Sequence, residues 1–462
     1  MFLIGEESFS ISLHNYFNKY KWKNADSSDF FKIINEEFQK KNFPFTLEEW
    51  RKEWIHTAGL NDLEAEYEKT KHELIIHQRA NLKIHPKLRC HKIKIAFFDQ
   101  EMNIVSEKEV MITGAETILP LNDLKFEGCL LNFGDLAYAK VILDTTSFDL
   151  FKNNLHKCDH PLTRSMLWFN FYQMVKDAKI SSNNFIEIFN NNIVFELNES
   201  ILSDAFTYAY YSLFWTPLKF KNELKEKLFE TTLKFLTQNE DLSSSIKTTL
   251  KEYLITFGSE STAPVLLEWL VGSSKALAPF NLSLYNEWDI IFKLFESEKI
   301  SSEEKLAILH VQLGKDHSEQ AKQHAISLKA IIADENTKQS DWSSFLNPNN
   351  PDSRIVQEAR MIGFNNERKQ MLKYAILYFD VLLNVSRSRD NEFSKTFQNC
   401  LFPITDDFGF LEKRLEQLLE QCEEKDMSVE KFLKEKLDEM RRRMNCCERF
   451  VKEMESRFVT KG

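Results

Sequence analysis

The sequence predicts a mainly α-helical protein, in which a short helical segment and a small β-sandwich precede a long, solenoid-like α-helical C-terminal domain. Two observations support this fold class. The 462 residues include only 11 Gly and 10 Pro, whereas strand-rich folds need a turn about every 8–12 residues and draw on both residue types. Apolar residues also recur at helical spacing along most of the chain and alternate in only one stretch.

The composition is that of a folded protein from a reducing compartment. Hydrophobic residues make up 43% of the chain and include 39 Phe, which is ample for a large core. The net charge of −10 argues against nucleic acid and anionic membranes as partners. Seven scattered Cys do not suggest a disulfide framework, and there is no run of about 18 uncharged apolar residues. We therefore predict a cytoplasmic protein.

Residues 1–67 are predicted to be helical. A Ser27-Ser28-Asp29 cap precedes the second helix, and Thr46-Leu-Glu-Glu49 is a capping-box pattern that opens a short third helix ending at Gly59. The apolar residues that indicate the first two helices are Phe9, Ile11, Leu13, Tyr16, Phe17, Phe30, Phe31, Ile34 and Phe38.

Residues 71–147 are predicted to form the β-sandwich, because the period of the apolar pattern changes to two. The polar Asp99–Asn103 segment between two alternating stretches is typical of a hairpin. The predicted strands are Glu73–His77, His91–Phe97, Val105–Thr113, Cys129–Asn132 and Lys140–Asp144.

Residues 151–458 are predicted to be a succession of amphipathic helices with short breaks, which suggests stacked α-hairpins in a curved solenoid. No repeat of fixed length supports the solenoid, so it depends on the alternation of helices and turns alone. The predicted helices are Leu162–Asp177, one after the Ser181-Ser182 cap, Ser200–Phe214, Asn222–Leu236, Ser243–Phe257, Thr262–Gly272, Leu284–Phe295, Ser302–Leu313, one from the Asp316 and Glu319 cap pattern to Ala333, Asp352–Phe364, Glu367–Val385, Asn391–Cys400, Phe408–Cys422 and Ser428–Phe458.

His72 and His77 lie in a sequence, His72-Glu-Leu-Ile-Ile-His77, that is one residue longer than the zinc-protease motif H-E-x-x-H. That motif depends on two His at i and i+4 on one helix face. A separation of five places the second His off that face on a helix, and on the opposite side of a strand. The local pattern favours a strand without zinc over a metal site.

His310, His317 and His324 follow one another at intervals of seven. Seven residues of helix rise by about 10.5 Å, which is too far for shared ligation of one metal ion. Gly314 also interrupts the run. We therefore interpret all three as ordinary surface or partly buried histidines.

Two further clusters lie near the C-terminus. Adjacent Cys446 and Cys447 point about 100° apart on a helix, so a half-buried pair is favoured over a disulfide, with reactive thiols as the alternative. Arg441-Arg-Arg443 resembles a basic patch, but residues 411–462 carry 13 acidic and 13 basic side chains. A mixed, solvated face is therefore favoured, with an Arg lining a peptide-binding cavity as the alternative.

Motifs for nucleophilic catalysis and for phosphate or dinucleotide binding are absent from the sequence: it contains no G-x-S-x-G, no P-loop and no G-x-G-x-x-G. We predict no catalytic residue and no metal ligand in this chain, and the residues do not identify a substrate-binding site.

Three sets of residues nevertheless resemble one family. They are Ile4-Gly-Glu-Glu-Ser-Phe9, Asn15-Tyr-Phe17, Lys21-Trp-Lys-Asn-Ala25 and Trp50-x-x-x-Trp54-x-x-Thr57-Ala-Gly-Leu-Asn61; then Leu131-Asn-Phe-Gly-Asp-Leu-Ala-Tyr-Ala-Lys-Val-Ile-Leu-Asp144; then Leu162-Thr-Arg164, Trp168, Lys176-Asp177, Met361-x-Gly-Phe-Asn365 and Leu437–Arg449. They resemble, in that order, the end of the catalytic domain, the small β-sandwich and the helical C-terminal domain of gluzincin aminopeptidases of the aminopeptidase N family, bacterial-type branch.

The resemblance implies three domains: residues 1–67 as the end of a thermolysin-like catalytic domain, 71–147 as the β-sandwich, and 151–458 as an endoplasmic reticulum aminopeptidase-like helical domain. The family's H-E-x-x-H, its third ligand Glu, its Gly-x-Met-x-Asn loop and its catalytic Tyr would all lie upstream of Met1. No family catalytic residue can therefore be placed on this chain. The family's Asp-rich stretch is also interrupted here by Phe133 and Gly134.

The resemblance leads to one hypothesis and one alternative. The hypothesis is that this is the C-terminal portion of a zinc aminopeptidase, which forms the wall of a chamber for peptides while an upstream catalytic half holds the zinc. The chain itself would then need no cofactor, and its partners would be peptides and that half. The alternative is a stand-alone, non-catalytic helical module that binds peptides or proteins.

Overall fold

A computed structural model describes residues 1–239, 241–364 and 372–459 of the chain. The described residues form nineteen α-helices and seven β-strands, so the predicted mainly α-helical fold class is confirmed. The chain divides into two compact units, which are described separately below. The first unit comprises residues 1–171 and 191–201, and the second comprises residues 172–190 and 202–462.

The first unit begins with three helices, α1 (Glu6–Tyr20), α2 (Ser27–Phe38) and α3 (Leu47–Ile55). The predicted capping box of α3 is confirmed, since the Thr46 side chain accepts from the Glu49 N–H while the Glu49 carboxylate accepts from the Thr46 N–H. The cap of α2 was predicted one residue too late, because the Asp26 carboxylate is the group that accepts from the Asp29 N–H, at 3.0 Å.

The prediction of helix up to residue 67 is wrong for residues 61–67, which form most of the first strand. The seven strands are β1 (Asn61–Glu68), β2 (Glu73–Ala80), β3 (His91–Phe98), β4 (Ile104–Ile112), β5 (Glu116–Pro120), β6 (Gly128–Leu130) and β7 (Lys140–Ile142). All five predicted strands are present, and β1 and β5 are additional. Leu63 and Ala65 of β1 are buried, and their alternation with polar neighbours matches a half-buried strand.

The strands form two sheets, in the orders β5-β2-β1-β7 and β4-β3-β6. All neighbouring strands are antiparallel except β1 and β7, which are parallel. The Phe126 ring contacts Tyr67 of one sheet and Phe97 of the other, with centroids 4.8 and 5.0 Å apart. Phe126, which precedes β6, thus lies between aromatic side chains of the two sheets, as in the core of a β-sandwich. The predicted hairpin at residues 99–103 is confirmed, because it joins the antiparallel strands β3 and β4.

A helix that the sequence did not predict, α4 (Thr145–Asn154), follows the last strand directly. The Asp144 carboxylate accepts from the Ser147 N–H at 3.0 Å and so caps it. The Ser147 hydroxyl in turn accepts from the Cys129 N–H of β6, at 2.8 Å. The helix is thus attached to the edge of the smaller sheet.

The remaining helices are α5 (Pro161–Lys176), α6 (Ser182–Asn192), α7 (Glu199–Ser212), α8 (Leu218–Gln238), α9 (Ser244–Thr256), α10 (Ala263–Leu270), α11 (Leu284–Glu296), α12 (Ser302–Lys315), α13 (Glu319–Ile331), α14 (Glu335–Leu346), α15 (Arg354–Phe364), α16 (Leu372–Ser388), α17 (Asn391–Cys400), α18 (Phe408–Glu420) and α19 (Met427–Val459).

These helices match the predicted ones with three corrections. The helix α14 was not predicted. Gly314 does not interrupt α12, which continues to Lys315. The cap of α13 is Ser318, whose hydroxyl accepts from the Ala321 N–H at 3.1 Å. The predicted start of the helix Glu367–Val385 and the motif residue Asn365 lie outside the described residues.

In the second unit, helices pack both on their neighbours in sequence and on the helix two positions away. Helix α11 contacts α9 and α13, α15 contacts α13 and α17, and α16 contacts α18. This is the packing expected of stacked α-hairpins. The last helix, α19, also contacts helices that come much earlier in the chain. The ring of Phe450 lies 5.0 Å from that of Phe220 in α8, and Arg457 pairs with Glu187 of α6. In a simple solenoid each repeat contacts only its neighbours, whereas here α19 contacts α6 and α8. The solenoid therefore stays a prediction.

Helices α13 and α15 approach each other unusually closely. The Ser327 hydroxyl donates to the Ala359 carbonyl oxygen across the interface, at 2.7 Å. A Cβ atom added at Gly363 would lie 1.9 Å from the Ser327 carbonyl oxygen and 3.0 Å from the Ala330 Cβ. Gly363, which belongs to one of the motifs in the sequence, is therefore the residue that permits this contact.

We expect Gly363→Ala to lower the free energy of unfolding by about 1–3 kcal/mol, because the new methyl group has no room beside the Ser327 backbone. Gly314→Ala is the matched control. It also lies in a helix, a Cβ there would meet nothing within 4 Å, and removing a helical glycine stabilises by about 0.5–1 kcal/mol. Urea denaturation of both variants measures the difference. Equal effects of the two substitutions would show that the close contact is absent.

Candidate functional site

His72 and His77 differ in position and in backbone conformation. His72 lies in the turn between β1 and β2 and has a positive φ of 52°. His77 lies on β2, where its Nε2 is 2.9 Å from the Glu66 carboxylate and its Nδ1 is 3.4 Å from that of Glu116. The prediction of a strand is confirmed. Across the described ranges, no group of three or more His, Cys, Asp or Glu side chains could hold a metal ion, so these residues do not fit a zinc site.

The three histidines at intervals of seven are also separate. His310 and His317 are exposed. The His324 ring packs against the rings of Trp288 and Phe292, at centroid distances of 5.1 and 5.4 Å. Burial lowers the pKa of His324, and the nearby carboxylates of Asp289 and Asp316 partly offset this effect. The prediction of surface and partly buried histidines is confirmed.

Cys446 and Cys447 are both buried, more deeply than predicted, and neither forms a disulfide. The Cys446 thiol lies 3.1 Å from the Val175 carbonyl oxygen, and the Cys447 thiol lies 4.0 Å from that of Trp215. Burial raises the pKa of Cys446 to about 11 and that of Cys447 to about 12. Because the thiolate is the reactive form, these are packing residues rather than reactive ones.

The three consecutive arginines have different roles. Arg441 pairs with Glu412 and Glu416, each at 2.8 Å, and Arg442 pairs with Asp438 one turn earlier. These two confirm the predicted mixed face. For Arg443 that prediction is wrong, because this residue is only 9% exposed.

Arg443 joins three segments of the second unit. Its Nε donates to the Phe214 carbonyl oxygen at 2.9 Å, its Nη1 donates to that of Thr405 at 3.0 Å, and its Nη2 pairs with the Asp406 carboxylate. Asp406 also accepts from the Leu218 N–H at 2.7 Å, at the start of α8. We call Arg443 and Asp406 the clamp. It attaches α19 to the segment before α18 and to the connection between α7 and α8.

We expect Arg443→Met to lower the free energy of unfolding by about 3–5 kcal/mol, because it leaves a carboxylate and two carbonyl oxygens without their donor. The adjacent Arg442→Met removes only an exposed pair one helical turn apart and should cost less than about 0.5 kcal/mol. Thermal and urea denaturation of the two variants test this. A loss of stability below 1 kcal/mol for Arg443→Met would contradict the role of the clamp.

The motif from Trp50 to Asn61 is the connection between the first helices and the β-sandwich. The Trp54 indole N–H donates to the Cys90 carbonyl oxygen at 3.2 Å, and the Asn61 amide donates to that of Lys87 at 2.8 Å. Arg89 is buried and donates to the Ala58 carbonyl oxygen at 2.8 Å. It also bonds to the carbonyl oxygens of residues 53 and 57. We call these contacts between residues 54–61 and 87–91 the junction.

His91 is the buried titratable group of the junction. Its ring is 2% exposed, packs edge-on against Trp54 at 5.0 Å, and places Nε2 3.1 Å from the Asn61 side-chain oxygen. Burial lowers the pKa of His91 to about 4, and the positive charge of Arg89 adds to this effect. His91 is therefore neutral in the folded protein at neutral pH.

We expect the first unit to lose stability as the pH falls from about 6.5 towards 4. The unfolded chain protonates His91 near its ordinary pKa of about 6.5, whereas the folded chain does so only near 4. Protons therefore favour the unfolded state over this window, by up to about 3 kcal/mol. Urea denaturation at several pH values, for the wild type and for His91→Gln, should show a smaller pH dependence in the variant. The exposed His56→Gln is the control, and an unchanged pH profile in His91→Gln would exclude His91 as the cause.

A patch of tyrosines in the second unit was not predicted. We call it the tyrosine face: Tyr172 of α5, Tyr208, Tyr210 and Tyr211 of α7, and Tyr253 of α9. The rings of Tyr172 and Tyr208 are stacked, with centroids 5.1 Å apart and an angle of 11°. Tyr211 lies 6.5 Å from Tyr172 and 5.6 Å from Tyr210. Tyr210 and Tyr211 are about half exposed, at 47% and 50%.

The tyrosine face carries neutral hydroxyls beside negative charge. Burial raises the pKa of Tyr172, Tyr208 and Tyr253, so their hydroxyls stay protonated. The exposed Asp204 of α7 contributes to this effect at Tyr208 and Tyr253. Exposed aromatic side chains grouped on one surface are typical of interaction sites.

A signal for the tyrosine face is present in the sequence Tyr208-Ala-Tyr-Tyr211. The buried residues of α7, which include Leu202, Phe206 and Ala209, recur at helical spacing. Tyr208 and Tyr211 fall outside that apolar stripe, and large aromatic residues on the solvent side of a helix are the feature that could have identified this surface.

Comparison with known proteins relates this architecture to aminopeptidases. The structure superposes on aminopeptidase A of Legionella pneumophila, solved in complex with aspartic acid, with a TM-score of 0.54 and 14% sequence identity, over 95% of this chain and 55% of that one. This likeness concerns the fold. In sequence, the chain is 24% identical over 419 residues to aminopeptidase N of Streptomyces lividans, which is 87% of this chain and 48% of that protein.

Residues 129–442 match the family model described as the ERAP1-like C-terminal domain. The match covers more than half of the chain, and the chain therefore belongs to this family. The predicted relation to the aminopeptidase N family is thus confirmed. The chain spans about half the length of the relatives that it matches. Within the described residues, no helix is both long and apolar enough to cross a membrane.

Proposed function

We propose that this chain is the C-terminal portion of a zinc-dependent aminopeptidase that removes N-terminal residues from peptides. In this proposal the helices of the second unit form a wall of the substrate chamber, and the catalytic zinc is held by an upstream half. The observation that carries the proposal is the match to aminopeptidase N of Streptomyces lividans. The match covers 87% of this chain but 48% of that protein.

Exposed apolar residues in the first helices support an upstream partner. Phe17 is 63% exposed and Trp22 is fully exposed, and Ile11 and Ile55 are also exposed. Such side chains, placed on helices α1 and α3 and on the loop after α1, are what a covering polypeptide would bury. We infer that the catalytic half covers this surface.

In this proposal the chain's own contribution to the reaction is to bind and confine peptides. The tyrosine face is the surface of the second unit that suits this role. Its rings present flat apolar area, and its hydroxyls present donors to peptide carbonyl oxygens. The seven free cysteines suit a cytoplasmic location, which we also propose.

We expect the purified 462-residue chain to release no product from an aminoacyl reporter. We expect chelator-sensitive hydrolysis when it is co-expressed with the reading frame that lies upstream of the Met1 codon. Sequencing that DNA is the first step, and it should contain an in-frame or adjacent H-E-x-x-H.

Three results would change the proposal. If no such sequence lies upstream, the hypothesis of a split or truncated enzyme loses its support. If the chain is then a stable, zinc-free protein that binds peptides, the alternative of a stand-alone binding module is favoured. Chelator-sensitive activity of the chain alone would contradict both, and would require a metal site that the described residues do not provide.

A further inference from the structure

We propose that the tyrosine face binds a positively charged side chain of a peptide, of the arginine or lysine class. The inference rests on the proposed function in one respect, namely that the ligand is a peptide. It goes beyond that function by naming the side chain and the groups that recognise it.

The geometry groups aromatic rings and carboxylates from neighbouring helices. Asp204, Tyr208 and Tyr211 are spaced at i, i+4 and i+7 and so share one face of α7. From α9, the Tyr253 hydroxyl is hydrogen-bonded to that of Thr207, at 2.8 Å. This bond holds α9 beside α7. Asp204 of α7 and the exposed Glu252 of α9 both act on the Tyr253 hydroxyl and raise its pKa, so both carboxylates lie near that group.

The negative charge at the tyrosine face favours a positively charged ligand. Neither Asp204 nor Glu252 takes part in an ion pair among the described residues. The exposed carboxylates of Glu412 and Glu416, in contrast, both pair with Arg441. One basic residue, Lys176, lies at the Tyr172 end of the face, with its Nζ 5.8 Å from the ring centroid. The Tyr211 side of the face therefore combines an exposed ring with carboxylates that lack a counter-charge.

An arginine or lysine side chain fits both features. Its charged head is attracted to the face of a tyrosine ring and to a carboxylate, while its aliphatic stem covers apolar ring area. A negatively charged side chain would meet Asp204 and Glu252, and an uncharged one would leave both carboxylates without a partner. Charge complementarity thus selects a cationic ligand.

The experiment measures binding to the full 462-residue chain by fluorescence anisotropy. Two labelled peptides of equal length and otherwise identical sequence carry either an internal arginine or the uncharged isostere citrulline. We expect the arginine peptide to bind about five- to tenfold more tightly, with an advantage that shrinks as the ionic strength rises, because exposed charges are screened by salt.

Variants assign the binding to the face. Asp204→Asn should reduce the affinity for the arginine peptide to that for the citrulline peptide, and Tyr211→Ala should weaken the binding of the arginine peptide. Tyr285→Ala, which removes an exposed tyrosine of α11 outside the face, should leave both affinities unchanged. Circular dichroism confirms that each variant is folded.

The outcomes are distinct from those of the aminopeptidase assay, since this measurement needs no catalytic half. Equal binding of the two peptides would overturn the assigned charge recognition even if the chain proved to be part of an aminopeptidase. Absence of binding to either peptide, or equal effects of Tyr285→Ala and Tyr211→Ala, would also overturn it. Tight binding of the arginine peptide alone would support it even if no upstream catalytic sequence existed.

Discussion

The clamp between Arg443 and Asp406 is the interaction on which the organisation of the second unit depends. A guanidinium group offers five donors in a fixed plane, and here they meet carbonyl oxygens and a carboxylate from separate segments. Asp406 also holds the first N–H of α8. One ion pair thus fixes the position of the last helix, the start of α8 and the segment that follows α7.

The clamp and the tyrosine face are connected through one short stretch of chain. Phe214, whose carbonyl oxygen accepts from Arg443, follows Tyr210 and Tyr211 by one turn. Trp215 lies against the hydroxyl of Tyr172. The tyrosine face therefore adjoins a segment whose backbone is hydrogen-bonded to the buried Arg443. Because this contact restrains the segment, less conformational entropy is lost when a ligand binds.

The sequence identified the fold class and most elements because their signals are local. The capping box at Thr46 and Glu49 and the alternation along β3 depend only on neighbouring residues. Elements with mixed signals were missed. Helix α14 buries Lys338, whose ammonium group donates to the Phe364 carbonyl oxygen at 3.1 Å. Because a lysine occupies this buried position, the sequence does not show the regular apolar spacing of a helix there. Strand β1 was assigned to the preceding helices, because its partners β2 and β7 come later in the chain.

The candidate site was harder to predict than the fold, because its groups meet only after folding. Tyr172, Tyr208 and Tyr253 are far apart in sequence, and nothing local shows that they share a surface. The same holds for Arg443, which looks like its two solvated neighbours in sequence and differs from them only through its contacts with residues 214 and 405.

The distance in sequence between Arg443 and Phe214, 229 residues, also has a consequence for synthesis. A ribosome makes the chain from its N-terminus, so the carbonyl oxygens that Arg443 will bind exist long before Arg443 does. During that interval the early helices of the second unit can pack on their neighbours but cannot acquire their last contact. The contacts of the clamp therefore form only after Arg443 has been synthesised.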